Sequence, residues 1–119
     1  MKFTPLEYEL IEDRLGLGDC IAECLSDCHP EDDPVVWQSF ETIDGRAHDL
    51  LESGFFKEEF DMKTLDILDR EILRDAIEGA TIMADKDACV DQVGIGKWTS
   101  MVRAMNNIEK KTGWRMNLW

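Results

Sequence analysis

The chain has little of what small proteins use for chemistry. Its 119 residues include two histidines, His29 and His48, one tyrosine and three prolines. No serine or cysteine nucleophile motif surrounds either histidine. Gly94-Ile95-Gly96-Lys97 lacks the spacing of a phosphate-binding GxxxxGK[ST] loop, and the acidic stretches lack the DxDxDG spacing of a calcium loop. No apolar run approaches the roughly 18 residues of a membrane span. The opening MKFTPLEYEL does not have the charged-then-apolar pattern of a leader. These absences set the expectation of a cytoplasmic protein that is not an enzyme, needs no cofactor and does not enter a membrane.

What is present is apolar and acidic. Hydrophobic residues make up 44% of the chain, enough for one folded domain over 1–119 although 33% is charged. The net charge of −13 is lopsided: residues 1–61 hold 17 acids against 4 bases, while residues 62–119 hold 9 of each. Leu6–Asp33 alone carries ten acids and one arginine. Such a block is either a solvated face or a steering surface for a basic partner. It repels phosphates, so direct nucleic-acid binding is not expected.

The apolar spacing is helical throughout and predicts an all-α fold. Thr4 caps a helix whose first position is Pro5, with Leu6, Leu10, Ile11, Ile21, Leu25 and Cys28 following. Gly16 and Gly18 admit a kink or a break, and a single helix to about residue 28 is the preferred reading. After the acidic loop 29–34, Asp33 and Pro34 open a second helix with a stripe of Val36, Phe40, Ile43, Ala47, Leu50 and Leu51, closed by Gly54. Residues 55–64 are too aromatic for a free linker and should pack on the core, with a short helical turn. Thr64 or Asp66 starts a third helix with a stripe of Leu68, Ile72, Ala76, Gly79, Ala80 and Met83, ending near Asp85–Asp87. A fourth, from about Lys97 to Thr112, buries Trp98, Met101, Val102, Met105 and Ile108 and is capped by Gly113, with Trp114 placed for a hydrophobic cap contact.

A shift of 61 residues aligns Ile11 with Ile72, Gly18 with Gly79, Ile21 with Ile82, Cys28 with Cys89, Trp37 with Trp98 and Ser39 with Ser100. One reading is a pseudo-repeat: four main helices as two helical hairpins, about 5–53 and 66–113, with a linker at 54–65 and a tail at 114–119. Gly18 and Gly79 would then mark a close helix crossing. The other reading is coincidence between two amphipathic hairpins.

Cys20, Cys24 and Cys28 lie four apart and His29 follows, a spacing unlike zinc knuckles, so they are read as buried thiols and no metal site is expected. Zinc held with His48 or Cys89 is the alternative. The carboxylates of Glu7, Glu12, Asp13, Asp19, Glu23, Asp27, Glu31, Asp32, Asp33, Glu41, Asp44 and Asp49 are candidates for one broad negative surface that contacts a basic protein or nucleoprotein complex. Carboxylates along helices imitate the phosphate rows of a duplex.

In size and in the acidity of its first half, the chain resembles small anti-CRISPR and anti-restriction proteins of phages and mobile elements. That resemblance implies an inhibitor acting in the host cytoplasm on a nucleic-acid-handling complex. It assigns no residue roles and no fold. The competing expectation is a helical adaptor or homo-oligomer that associates through Phe55, Phe56, Phe60, Trp114 and Trp119.

Overall fold

A computed structural model describes residues 1–28, 34–83 and 93–116, with side chains over 1–17, 42–82 and 93–116. The fold is all-α, with four main helices: α1 Pro5–Cys28, α2 Pro34–Glu52, α3 Ile67–Met83 and α4 Ile95–Thr112. A single 3-10 turn, Met62–Thr64, lies between α2 and α3. No strand occurs among the described residues.

The start of α1 is a reciprocal cap. The Glu7 N–H donates to Thr4 Oγ1 at 3.2 Å, and the Thr4 hydroxyl donates to Glu7 Oε2 at 3.0 Å. The helix runs on past both glycines without a break, and a methyl added at Gly16 would touch nothing. Gly54 ends the turn after α2 with φ of 87°, a conformation that costs glycine little. Of the two candidate starts for α3, Asp66 holds: its carboxylate accepts from the Leu68 N–H and its carbonyl from the Arg70 N–H. α4 starts two residues earlier than expected because Gly94, at φ of 78°, makes the turn outside the helix and leaves Gly96 inside its first turn. Gly113 closes α4 in the left-handed region, donating to the Glu109 carbonyl at 2.8 Å, and Trp114 is buried beyond it.

α1 is the centre of the packing. It lies against α2, as the first hairpin requires, and also against α3 and α4. α3 packs on both α1 and α2, whereas α3 and α4 make little contact with each other among the described residues. The repeat reading gains nothing from the side chains: Ile82 is 70% exposed, and a methyl added at Gly79 would meet no neighbour, so Gly79 marks no close crossing. Gly18, Ile21, Cys28 and Cys89 lie outside the described side chains.

The core joins Ile11 and Leu15 of α1, Ala47 and Leu51 of α2, Leu73 and Ile77 of α3, and Met105 and Ile108 of α4. The buried row of α3 is Leu73, Ile77, Ala80 and Thr81, of which only Ala80 belongs to the expected stripe. Leu68, expected inside, is 66% exposed, and Ile72 and Ala76 are half-buried flanks. Thr81 enters the core because its hydroxyl donates to the Ile77 carbonyl at 2.8 Å, leaving no unpaired donor.

The aromatic linker folds back as expected. Phe56 and Phe60 are buried against Phe3 and Trp114, and the Phe60 N–H donates to the Met1 carbonyl at 2.6 Å. Phe56, Phe60 and Trp114 are therefore core residues and not an adhesive surface. Trp119 and Leu118 lie outside the described residues. Buried Arg14 ties the tail to α1 by donating to the Met116 carbonyl at 3.0 Å.

Candidate partner-binding surface

The expected acidic surface divides into residues that face solvent and residues the fold uses internally. Glu12 and Asp13 are exposed on α1, and Glu9 is exposed beside them. The three occupy i, i+3 and i+4, so they share one side of the helix. Glu52 is exposed at the C-terminal turn of α2, and its charge and that of Glu12 both act on Tyr8. Burial pushes the Tyr8 hydroxyl above its ordinary range, and the charges of Glu12 and then Glu52 push it the same way. Its hydroxyl donates to the Leu51 carbonyl at 3.2 Å, anchoring α1 to the end of α2 beneath this patch.

Asp13 reports the crowding. Its carboxyl is pushed above the ordinary value first by partial burial, then by Glu9 and Glu12, against the opposing pull of Arg14 and Lys97. None of Glu9, Glu12 and Asp13 makes a salt bridge to a described residue within 4 Å. A partner that brings Lys or Arg to this face would find carboxylates not yet held in an ion pair. It would also relieve a repulsion already present.

Two candidates do not belong to such a surface. Glu7 is 2% exposed and is held by its cap with Thr4 and by the Lys111 ammonium. Asp44 is 8% exposed and faces His48 Nε2 at 3.8 Å across one helical turn. The helix geometry that lines up an acidic face also turns every third or fourth residue inward, and Glu7 and Asp44 are on the inward rows. His48 Nε2 also lies 3.3 Å from the Leu15 carbonyl. Asp49 is exposed on α2. The backbones of Asp19, Glu23 and Asp27 belong to α1 and that of Glu41 to α2, but their side chains lie outside the described set. Glu31, Asp32 and Asp33 lie outside the described residues altogether, as does His29, and the side chains of the four cysteines are likewise outside them. Among the described residues no group of three potential metal ligands comes together.

Sequence reasoning passed over Glu9 and Glu52. The i, i+3, i+4 spacing of Glu9, Glu12 and Asp13 was a legible signal for the first. Glu52 had none, since only the packing of α1 on α2 brings it near.

The crowding of Asp13 has a measurable consequence for stability. A carboxyl whose folded-state pKa is raised disfavours its ionised form in the folded chain. The cost is absent below the unfolded carboxylate range, near pH 4. It sets in as pH rises through that range and is fully present once pH exceeds the folded value. Asp13→Asn should therefore be slightly more stable than the parent at pH 7, by a few tenths of a kcal/mol or about 1–2 °C in melting temperature after discounting for solvent exposure. The difference should vanish near pH 3. Paired thermal melts at the two pH values check this, and a variant less stable at pH 7 would contradict it.

No helix among the described residues is long and apolar enough to cross a membrane. Neither a protein-family model, nor a curated protein, nor a solved structure matches this chain.

Proposed function

We propose that this chain is a non-enzymatic binding protein that presents its acidic first half to a basic, nucleic-acid-handling surface of another protein. Occupying that surface would inhibit it, as expected of a protein acting on a host defence complex such as a CRISPR effector in the cytoplasm. The observation that carries the reading is the exposed row of Glu9, Glu12 and Asp13, none of which makes a salt bridge to a described residue, with exposed Glu52 at the end of the neighbouring helix. The net of −13 in residues 1–61 against zero in the rest supplies the long-range field. Nucleic acid itself is not the partner, because its phosphates would be repelled.

The self-associating adaptor is the weaker reading, since most of its described aromatic set is buried. The two part on salt. Capture of partners from host lysate on the tagged chain should yield a nucleic-acid-handling protein at low ionic strength and release it at high ionic strength. Glu9→Gln/Glu12→Gln/Asp13→Asn should weaken that capture roughly tenfold, mainly by slowing association, while the fold persists. A partner that resists salt and ignores the triple variant would sink the charge-mimic reading.

A further inference from the structure

Opposite in character to the acidic face, α3 carries two arginines one turn apart, Arg70 and Arg74, and both line a pocket of about 350 Å³. Neither guanidinium makes a hydrogen bond or an ion pair with a described residue, and Arg70 Nε is shut off from solvent with no partner. In a chain with twice as many acids as bases this needs a reason. Three of the nearby carboxylates are engaged elsewhere. Asp66, four before Arg70, caps α3 through the Leu68 N–H; Asp69 holds Arg46 with two hydrogen bonds; Glu78, four after Arg74, accepts from the Arg115 N–H. The pocket's other walls are apolar, from Met62, Ile67 and the ring of Trp114, with Thr112 beside them. Glu71 also lines it, so the formal charge of the lining is +1 rather than +2.

We infer that this pocket binds a monoanionic carboxylate carried on an aromatic or branched apolar body. The two guanidinium forks supply donors in the planar geometry that a carboxylate accepts. Met62 and Ile67 take the apolar body against the floor that buried Trp114 provides, and the charge of Glu71 disfavours a dianion. The volume is that of a small-ligand pocket. The inference does not rest on the inhibitor reading, because the pocket is built from α3, the 3-10 turn and the end of α4, away from the acidic row on α1.

The carboxylate could belong to a free small molecule or to a peptide C-terminus. The test uses benzoate for the first, N-acetylphenylalanine for the second, and N-acetylphenylalanine amide as the uncharged control. Each is titrated into the full chain while the Arg70 Nε–H and Trp114 indole N–H resonances are followed by NMR. Benzoate and N-acetylphenylalanine should shift both resonances saturably, and the amide should bind roughly tenfold more weakly or not at all. Arg74→Gln, at an exposed position where folding is not at stake, should weaken carboxylate binding by a similar factor. Arg70→Gln should do so more strongly. Tighter binding of N-acetylphenylalanine supports a peptide terminus, and tighter binding of benzoate a free ligand. No saturable shift up to about 50 mM, equal binding of acid and amide, or unchanged binding by Arg74→Gln would each overturn the site.

Discussion

Phe56→Ala should cost about 3–5 kcal/mol, a large part of the roughly 5–15 kcal/mol that holds a domain of this size together. Phe56 is 1% exposed and is the hub of the aromatic cluster. Its ring lies edge-on to Phe55 at 4.9 Å and to Phe60 at 5.0 Å, and its centroid is 5.6 Å from Phe3 and 5.9 Å from Trp114. These neighbours come from the segment before α1, the linker before α3 and the segment after α4. No helix spans those three regions; the rings join all three, and the paired hydrogen bonds between Met1 and Phe60 add a backbone link between two of them. Truncation leaves a void between connections that cannot collapse independently, which is the condition for a cost at the high end. Phe55→Ala is the control: that ring is half-buried and should cost about 1–2 kcal/mol. Urea denaturation of both variants measures the difference through the midpoint, with the slope unchanged. A loss below about 1 kcal/mol for Phe56→Ala would mean the cluster is not packed as described.

Helix existence and most helix ends were legible because local chemistry decides them. Thr4-Pro5 with Glu7, Asp33-Pro34, Gly54 and Gly113 each carry a backbone requirement that few other residues meet, and α1, α2 and the end of α4 follow them. The face that α3 buries was only partly legible: Ala80 of the expected stripe is buried, but Leu68 is exposed. Leu68–Ile72–Ala76 and Leu73–Ile77–Ala80 are adjacent rows of the same amphipathic helix, both apolar at helical spacing. Periodicity cannot choose between them; packing on α1 and α2 together selects the second. The internal repeat draws no support from the side chains either. The 61-residue register matched Ala47 with Ile108, both buried, but equally matched Ile21 with the exposed Ile82.

The acidic candidates show where composition stops being informative. A charge count treats every carboxylate in 1–61 alike, yet Glu12 and Asp13 face water while Glu7 and Asp44 are buried. Helical phase separates them: Glu9, Glu12 and Asp13 share a side, whereas Glu7 lies on the row of Leu10, Ile11 and Arg14, all buried. That row was available from the spacing. What sequence could not supply is the cation from α4 that makes a buried Glu7 tolerable, since Lys111 is 104 residues away. The arginine pocket was equally silent in sequence: Arg70 and Arg74 read as ordinary surface bases until the caps and ion pairs of the neighbouring acids are known.

Glu7→Gln should be destabilising by about 2–4 kcal/mol, although the substitution keeps nearly the same shape and removes a negative charge from a strongly acidic chain. Surface electrostatics alone would predict the opposite sign, because relieving self-repulsion stabilises. The structure gives the reason for the loss. Glu7 accepts from the Thr4 hydroxyl at 3.0 Å and from the Lys111 ammonium, and Lys111 also donates to the Lys2 carbonyl at 2.8 Å while lying 6.0 Å from the centre of the Phe3 ring. One carboxylate thus caps α1, fixes the last turn of α4 and holds the N-terminal segment that carries Phe3 into the aromatic cluster. The amide can keep the cap but leaves a partly buried ammonium without its counter-charge. Lys111→Met removes that ammonium. If the ion pair is the cause, Glu7→Gln combined with Lys111→Met should cost less than the two single losses added together, by about 1 kcal/mol or more. Additive losses would show that the ion pair with Lys111 is not the cause. A Glu7→Gln variant as stable as the parent, but weaker toward a basic partner, would return Glu7 to the acidic surface from which its burial removes it.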